Sequence, residues 1–344
     1  MEAARRVAAD VLAPTAQVTD RADVVPRSHL EALADAGLNR LYCPPGLAVA
    51  ATREVFEVLA GACGVTFFVW VQHHAPVRML ARSANEGLRE RYLDDLCSGG
   101  VLGGVAFAYL RRPGRPAVVA RRVAGGYVVT GEAPWVTSWG LAGVFSVAAR
   151  LGDQVVYFLV DPSAPALRPS PPLALAAMQA SSTVRLAVDE LFVPDDDVLS
   201  VMPFADWEAA DRTATAQPNP AAFGVAATCV RLLAEHDEDA ARALGADVDA
   251  CRSRSYALAD LGRTDDPHLA ALVDARGRSL ELAVRCATAL VVSVGGRAMA
   301  SDHPAQRLLR EAAFFTIQAQ TTAQRRATLA QLTSRSPGRL ARRP

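Results

Sequence analysis

Between about Gly100 and Asp206 the hydrophobic pattern of this chain alternates with a period of two, and on either side of that stretch it does not. A period-two segment buries one face only as a strand, and a 3.6-period segment buries one face only as a helix. The chain must therefore run helices, strands, helices. Val118–Val123, Tyr127–Thr130, Gly143–Arg150 and Gln154–Val160 are short β-branched or aromatic segments separated by Gly, Pro and Asp. Val184–Pro194, running on to Val198–Leu199, is another. Their spacing predicts a small antiparallel barrel or sandwich. A chain of 344 residues exceeds one ordinary core. The expected layout is α+β multidomain: an N-terminal helical domain (1–98), a middle β-barrel (99–205), a C-terminal four-helix bundle (206–332) and a disordered tail (333–344).

Local signals refine the helical parts. Ala3–Ala13 is alanine-rich with one apolar face, Ser28 is placed to cap Leu30–Ala36 before Gly37, and Thr52 to cap a helix toward Gly61. Val65–Val71 leads into Gln72-His73-His74, and Asn85–Leu96 closes at Ser98-Gly99-Gly100. Beyond Asp206, Pro220–Glu235, Asp247–Gly262, His268–Gly295 and Ala305–Leu332 read as four helices.

Composition excludes several functions. Formal net charge is zero, leaving no field for nucleic acid or an anionic membrane. All positive side chains apart from histidine are arginine, so no lysine Schiff base or P-loop lysine is available. The six cysteines (43, 63, 97, 229, 251, 286) lack any Cys-x-x-Cys and read as reduced core residues, not a disulfide framework or metal site. Met-Glu-Ala-Ala-Arg-Arg is not the start of a signal peptide, and no apolar run approaches the ~20 residues of a bilayer span. A cytoplasmic protein is expected. No Gly-x-Ser-x-Gly elbow supports a serine hydrolase.

The connection Ala133-Pro134-Trp135-Val136-Thr137-Ser138-Trp139-Gly140, between two strand-like segments, is unusual in placing two indoles beside two hydroxyls. Such a wall suits a planar, heteroatom-rich ring, or else the indoles simply fill core. Tyr127-Val128-Val129-Thr130-Gly131, then Trp135-Val136-Thr137-Ser138, then an apolar strand resembles the acyl-CoA dehydrogenase superfamily. Leu33–Leu38, Arg91-Tyr92-Leu93, Val184–Pro194, and Val294-Gly295-Gly296 followed by Arg307–Ala312 resemble that superfamily in the same order, across roughly residues 20–330. The resemblance implies FAD, with FMN as the other candidate flavin. Trp135 would wall the ring and Thr137 would hydrogen-bond near its reactive edge, with Phe107, Ala108, Val136 and Ser138 around it. Gly295 and Gly296 would meet the pyrophosphate or a partner subunit. A homodimer or tetramer is expected.

The same resemblance locates a departure. Dehydrogenation needs a carboxylate beside the flavin, because a thioester α-proton is weakly acidic. Ala319 stands where most relatives place that Glu, and Thr213–Pro218 lacks the alternative one; Glu208 and Asp211 are the nearest acids. The usual Thr-Glu-Pro-Gly loop is reduced to Pro113-Gly114, and the Arg-x-x-Phe-Gly loop is missing. His73 and His74 fall near a histidine position of the superfamily's flavin-dependent monooxygenases, which take reduced flavin from a flavin reductase; the plainer reading is a helix end. Metal binding by them is not expected. The expected function is a divergent oxidoreductase of a specialised pathway, acting on a small-molecule or carrier-bound acyl substrate. Dehydrogenation, oxygenation and a non-redox role on the same fold stay open.

Overall fold

The computed structural model describes residues 1–334. Helices come first: α1 (Glu2–Val7), α2 (Ala13–Asp20), α3 (Arg27–Asp35), α4 (Val49–Ala62), α5 (Gly64–Arg82) and α6 (Glu86–Ser98). A π-helical turn, Ala8–Leu12, joins α1 to α2. The chain leaves α3 through Gly37, whose left-handed φ of 71° a side chain would strain. Two expected caps are corrected. Neither Ser28 nor Thr52 caps a helix: α3 already begins at Arg27, and Thr52 lies inside α4, its hydroxyl donating to the Ala48 carbonyl at 3.2 Å. Asn85 does cap α6, accepting from the Leu88 N–H at 3.0 Å. The stretch expected at Val65–Val71 belongs to the 19-residue α5, which continues through His73, His74 and Pro76.

Eight strands follow: β1 (Gly103–Ala106), β2 (Val118–Val123), β3 (Gly126–Val136), β4 (Val144–Leu151), β5 (Gln154–Val160), β6 (Leu167–Pro169), β7 (Val184–Pro194) and β8 (Val198–Pro203). They form one sheet ordered β6-β7-β3-β2-β4-β5-β8, with β1 joined to β4. The sheet is mixed, not wholly antiparallel, because β1 and β2 both lie parallel to β4. Most residues of β4 and β5 are buried, so these strands are near-continuous apolar runs instead of alternating ones.

The C-terminal part holds α7 (Phe204–Ala216), α8 (Pro220–Leu233), α9 (Glu238–Asp260), α10 (Asp266–Val294), α11 (Pro304–Phe315) and α12 (Thr322–Thr333). Four helices were expected there. The difference is α7, and a break at 316–321 where Ala319 turns left-handed (φ 53°) and Thr321 with Gln324 forms a capping box for α12. The expected tail lies, from 335 on, outside the described residues. Asp266–Met299 is apolar and long enough to span a bilayer by composition, but half of its most apolar window is buried within the fold, as in any core helix.

One hydrophobic core joins the two helical parts: Leu33, Leu59 and Trp70 pack in the same cluster as Phe223, Leu290 and Phe315. Helices α4 and α8 touch backbone to backbone. A Cβ on Gly224 would sit 2.0 Å from the Glu57 carbonyl oxygen, and one on Gly61 2.7 Å from the Gly224 carbonyl oxygen. Glu311 of α11 ties this core to α5, accepting from the Gly64 N–H at 3.1 Å and from Arg307 Nη1 at 2.9 Å. The strands own a second core that includes Phe145, Phe158 and Leu186, with Val77, Leu80, Leu88 and Leu96 of α5 and α6 packed into it. Cys43 and Cys97 form a disulfide, with Cα atoms 6.1 Å apart. This corrects the expectation of six free thiols; the other four are unpaired.

Candidate functional site

Strand β3 does not end before the tryptophans, as expected, but runs through Pro134 and Trp135 to Val136. Its register against β7 slips between Ala133 and Val136, so Pro134 and Trp135 form a bulge. Proline suits that place because a bulged residue gives up a ladder N–H. Trp135 takes a left-handed φ of 61°, and its side chain stands 54% exposed while Val136 behind it is fully buried. Trp139 does the opposite: it stacks on Phe145 at 5.4 Å between ring centres and fills core.

Beside the exposed indole the hydroxyls are ordered. Thr137 Oγ1 lies 3.1 Å from Thr183 Oγ1, which lies 2.7 Å from Ser181 Oγ. The Ser138 N–H donates to the Ser181 carbonyl at 2.9 Å and the Trp139 N–H to that of Ser182 at 3.1 Å. The crossing loop is thereby zipped to the end of β3, with Met178 and Ser182 left-handed to make the turn. Ser138 Oγ is buried without a hydrogen-bond partner.

A cavity of about 510 Å³ opens between the β1–β2 connection, α7 and the start of α12. Its walls include Leu110, Arg111, Trp207, Asp211 and Thr321. Arg111 grips Asp211 through Nε to Oδ2 at 2.9 Å and Nη2 to Oδ1 at 2.7 Å, with both side chains mostly buried. Trp207 Nε1 donates to Tyr157 Oη at 2.7 Å, and burial pushes the Tyr157 phenol up to about 12. Glu208 lines the same cavity from the exposed side of α7 and has no salt-bridge partner among the described residues.

The remaining expected positions are dispersed. His73 is 0% exposed and accepts the Gly103 N–H on Nδ1 at 3.0 Å, leaving Nε2 without a partner. His74, 2% exposed, is enclosed by Tyr42, Phe56 and Trp70 with both ring nitrogens unpartnered. Burial lowers the His73 imidazole to about 4 and the His74 imidazole well below its ordinary value. Neither lines the cavity, and both lie inside α5, not at the helix end that the plainer reading expected. Phe107 packs edge-on to Tyr157, and Ala108 follows at the start of a 3₁₀ turn. Gly295 and Gly296 lie on an exposed turn after α10 with open space where a Cβ would point. Ala319 brings no acid to its turn.

The family described as acyl-CoA dehydrogenase, N-terminal domain, matches residues 1–100. Benzylmalonyl-CoA dehydrogenase of Aromatoleum aromaticum is 29% identical over 55% of this chain, a match spanning about half (53%) of that relative. The chain has the acyl-CoA dehydrogenase fold, and its first 100 residues match that family's N-terminal domain. Among solved structures, butyryl-CoA dehydrogenase from Megasphaera elsdenii superposes with a TM-score of 0.81 at 18% identity, covering 96% of each chain. PigA with FAD and proline does so with a TM-score of 0.78 at 20% identity, again covering 96% of each chain. At such identities the likeness is one of fold. The acyl-CoA dehydrogenase fold accounts for the order of helices, strands and helices. Arg111, Asp211, Trp207 and Tyr157 are brought together by the fold, and the sequence reading did not assemble them.

Proposed function

We propose that this chain is a flavoprotein oxidoreductase that holds FAD against Trp135 and acts on an acyl group or small molecule without the carboxylate base of α,β-dehydrogenation. The observation that carries it is the Trp135 bulge. A left-handed backbone and an uncovered indole cost free energy in the chain alone, and a flat ring laid on the indole offsets both. Thr137 offers a hydroxyl already oriented by Thr183 and Ser181, and the orphaned Ser138 hydroxyl lies next to it. These groups fit one face of a flavin. PigA, which shares the fold, was solved with FAD, and this supports the choice. A bound flavin supplies a two-electron acceptor; the chain's own residues bind and orient.

Proton removal is where this member departs from its relatives. Ala319 has no carboxylate, and Asp211 is committed to Arg111. Glu208 is the unpaired acid on the cavity, at its exposed lip. Exposed Val292, Met299, Leu329 and Leu332 support a homodimer or tetramer. The test begins with the absorption spectrum of the purified protein before and after reconstitution with FAD. Trp135→Ala should weaken flavin retention several-fold, about 1 kcal/mol from lost stacking. Anaerobic mixing with butyryl-CoA should leave the flavin band unbleached. No retained flavin in the native protein, or retention indifferent to Trp135→Ala, sinks the reading; rapid bleaching redirects the base to Glu208.

A further inference from the structure

The polar lining of the cavity is out of balance. Four arginines, Arg111, Arg112, Arg150 and Arg212, face it against two carboxylates, Glu208 and Asp211. Arg150 lies over the Phe204 ring at 3.6 Å and donates to the Gly152 carbonyl at 2.9 Å, while Arg212 pairs with Asp266 at the surface at 2.7 Å. Asp211 is taken up by Arg111.

Behind this wall stands Arg276 of α10, only 8% exposed. Its single hydrogen bond runs from Nη1 to the Gln217 carbonyl at 2.7 Å, two residues beyond Thr215 of the cavity wall. Among the described residues no carboxylate pairs with it. Burial first, and then the positive charge of Arg111, hold its guanidinium down to about 10. Val273 lines the cavity and lies three residues before Arg276, so both side chains leave α10 on one face. Of these two buried guanidiniums, only Arg111 has a carboxylate partner. A desolvated charge without a partner is costly, and such groups are ordinarily paired or bound to a ligand.

We infer that this cavity binds a substrate bearing a carboxylate, whose oxygens complete the charge balance of Arg111, Asp211 and Arg276. Arg111, Asp211 and Arg276 together leave one positive charge, which a single carboxylate group completes. A second carboxylate, as in glutarate, stays toward solvent, and inorganic phosphate has no carbon chain for the apolar wall. Leu110, Trp207 and Val273 provide apolar wall for a short carbon chain behind the carboxylate. The inference deepens the reading of this protein as a small-molecule or acyl enzyme, and it does not depend on the flavin.

The full-length protein, as purified, is titrated with glutarate, with the neutral isostere glutaramide and with inorganic phosphate, following heat and tryptophan fluorescence, since Trp207 lines the cavity. Glutarate should bind at least about tenfold more tightly than the diamide, the scale of one charge-assisted contact. Arg276→Gln should abolish that preference. Asp211→Asn should strengthen glutarate binding several-fold, because it frees Arg111 from an internal competitor. Opposite signs from two variants in one cavity do not arise from general damage to the fold. Arg168→Gln, on the exposed β6 pair with Asp189, should change nothing. Equal affinity for glutarate and glutaramide, tighter binding of phosphate, no saturable binding at millimolar concentration, or an Arg276→Gln variant of unchanged thermal melt and unchanged glutarate affinity would each overturn the inference. Flavin retention measured on the same samples reports on Trp135 separately: flavin lost with glutarate binding intact defeats only the cofactor assignment.

Discussion

Lowering the pH from 7 to 5 should destabilise this protein through His73 and His74. His73 is held at about 4 in the folded state against 6.5 when exposed. Between those values the unfolded chain binds the proton and the folded chain does not. The stability His73 contributes is therefore complete above about pH 7 and is lost as pH falls through that window. At pH 5 the unfolded imidazole is almost wholly charged and the folded one almost wholly neutral, a difference of about 2 kcal/mol. His74, fully enclosed by aromatic rings, shifts in the same direction and adds to it. There is a geometric reason as well: protonating His73 Nδ1 would set an N–H against the Gly103 N–H that it now accepts, at the first residue of β1. The assay is the melting temperature across pH 5–8 for the native protein and for His73→Gln, which keeps an acceptor but cannot titrate. The native melt should fall by roughly 3–6 °C more than that of the variant between pH 7 and 5. Superimposable profiles, or a resonance assigned to the His73 imidazole titrating near 6.5, would refute the reasoning and reopen a solvent-accessible role for the pair.

Glu311→Ala should cost about 3–5 kcal/mol, because it strands the buried Arg307 guanidinium and uncaps α5 at Gly64; the double change Arg307→Met with Glu311→Leu should lose far less. A thermal or guanidinium melt of both variants decides it. Reducing the Cys43–Cys97 bond, or Cys97→Ser, should remove about 4 kcal/mol, the loop entropy for residues 54 apart, read as a lowered melt in dithiothreitol. Gly224→Ala should prevent α4 and α8 from closing, giving little soluble protein, since its methyl group has only the Glu57 carbonyl to occupy. Ala319→Gly should raise the melt slightly, by about 1 kcal/mol of relieved left-handed strain.

Strands bounded by strong punctuation were legible in the sequence to the residue: Val118–Val123, Gln154–Val160 and Val184–Pro194 appear with those ends. Segments too short for a period to show, β1 and β6, were not. The break in the last helix had a written signal, Thr321-Thr322-Ala323-Gln324, but the apolar pattern on both sides masked it. At the candidate site the tryptophan segment stood out because indoles and hydroxyls are rare in company. Its bulge depends on a register slip against β7, fifty residues away, that no local pattern records. Arg276 had one cue: a charged residue on the face of α10 that carries Leu269, Leu272 and Leu280 into the interior. Its meaning required Arg111 and Asp211, brought together only by the fold. The Cys43–Cys97 pairing, across α4, α5 and most of α6, is likewise a product of packing.

The contact between Gly61 and Gly224 has a consequence in time. A ribosome must add 163 further residues after Gly61 before its partner exists, on the order of ten to thirty seconds at ~5–20 residues per second. Throughout that interval the side of α4 that faces α8 is made but has no partner in the chain, while all eight strands of the sheet are added. Closure of α4 on α8 is thus a late, long-range step that waits on the whole sheet having been made.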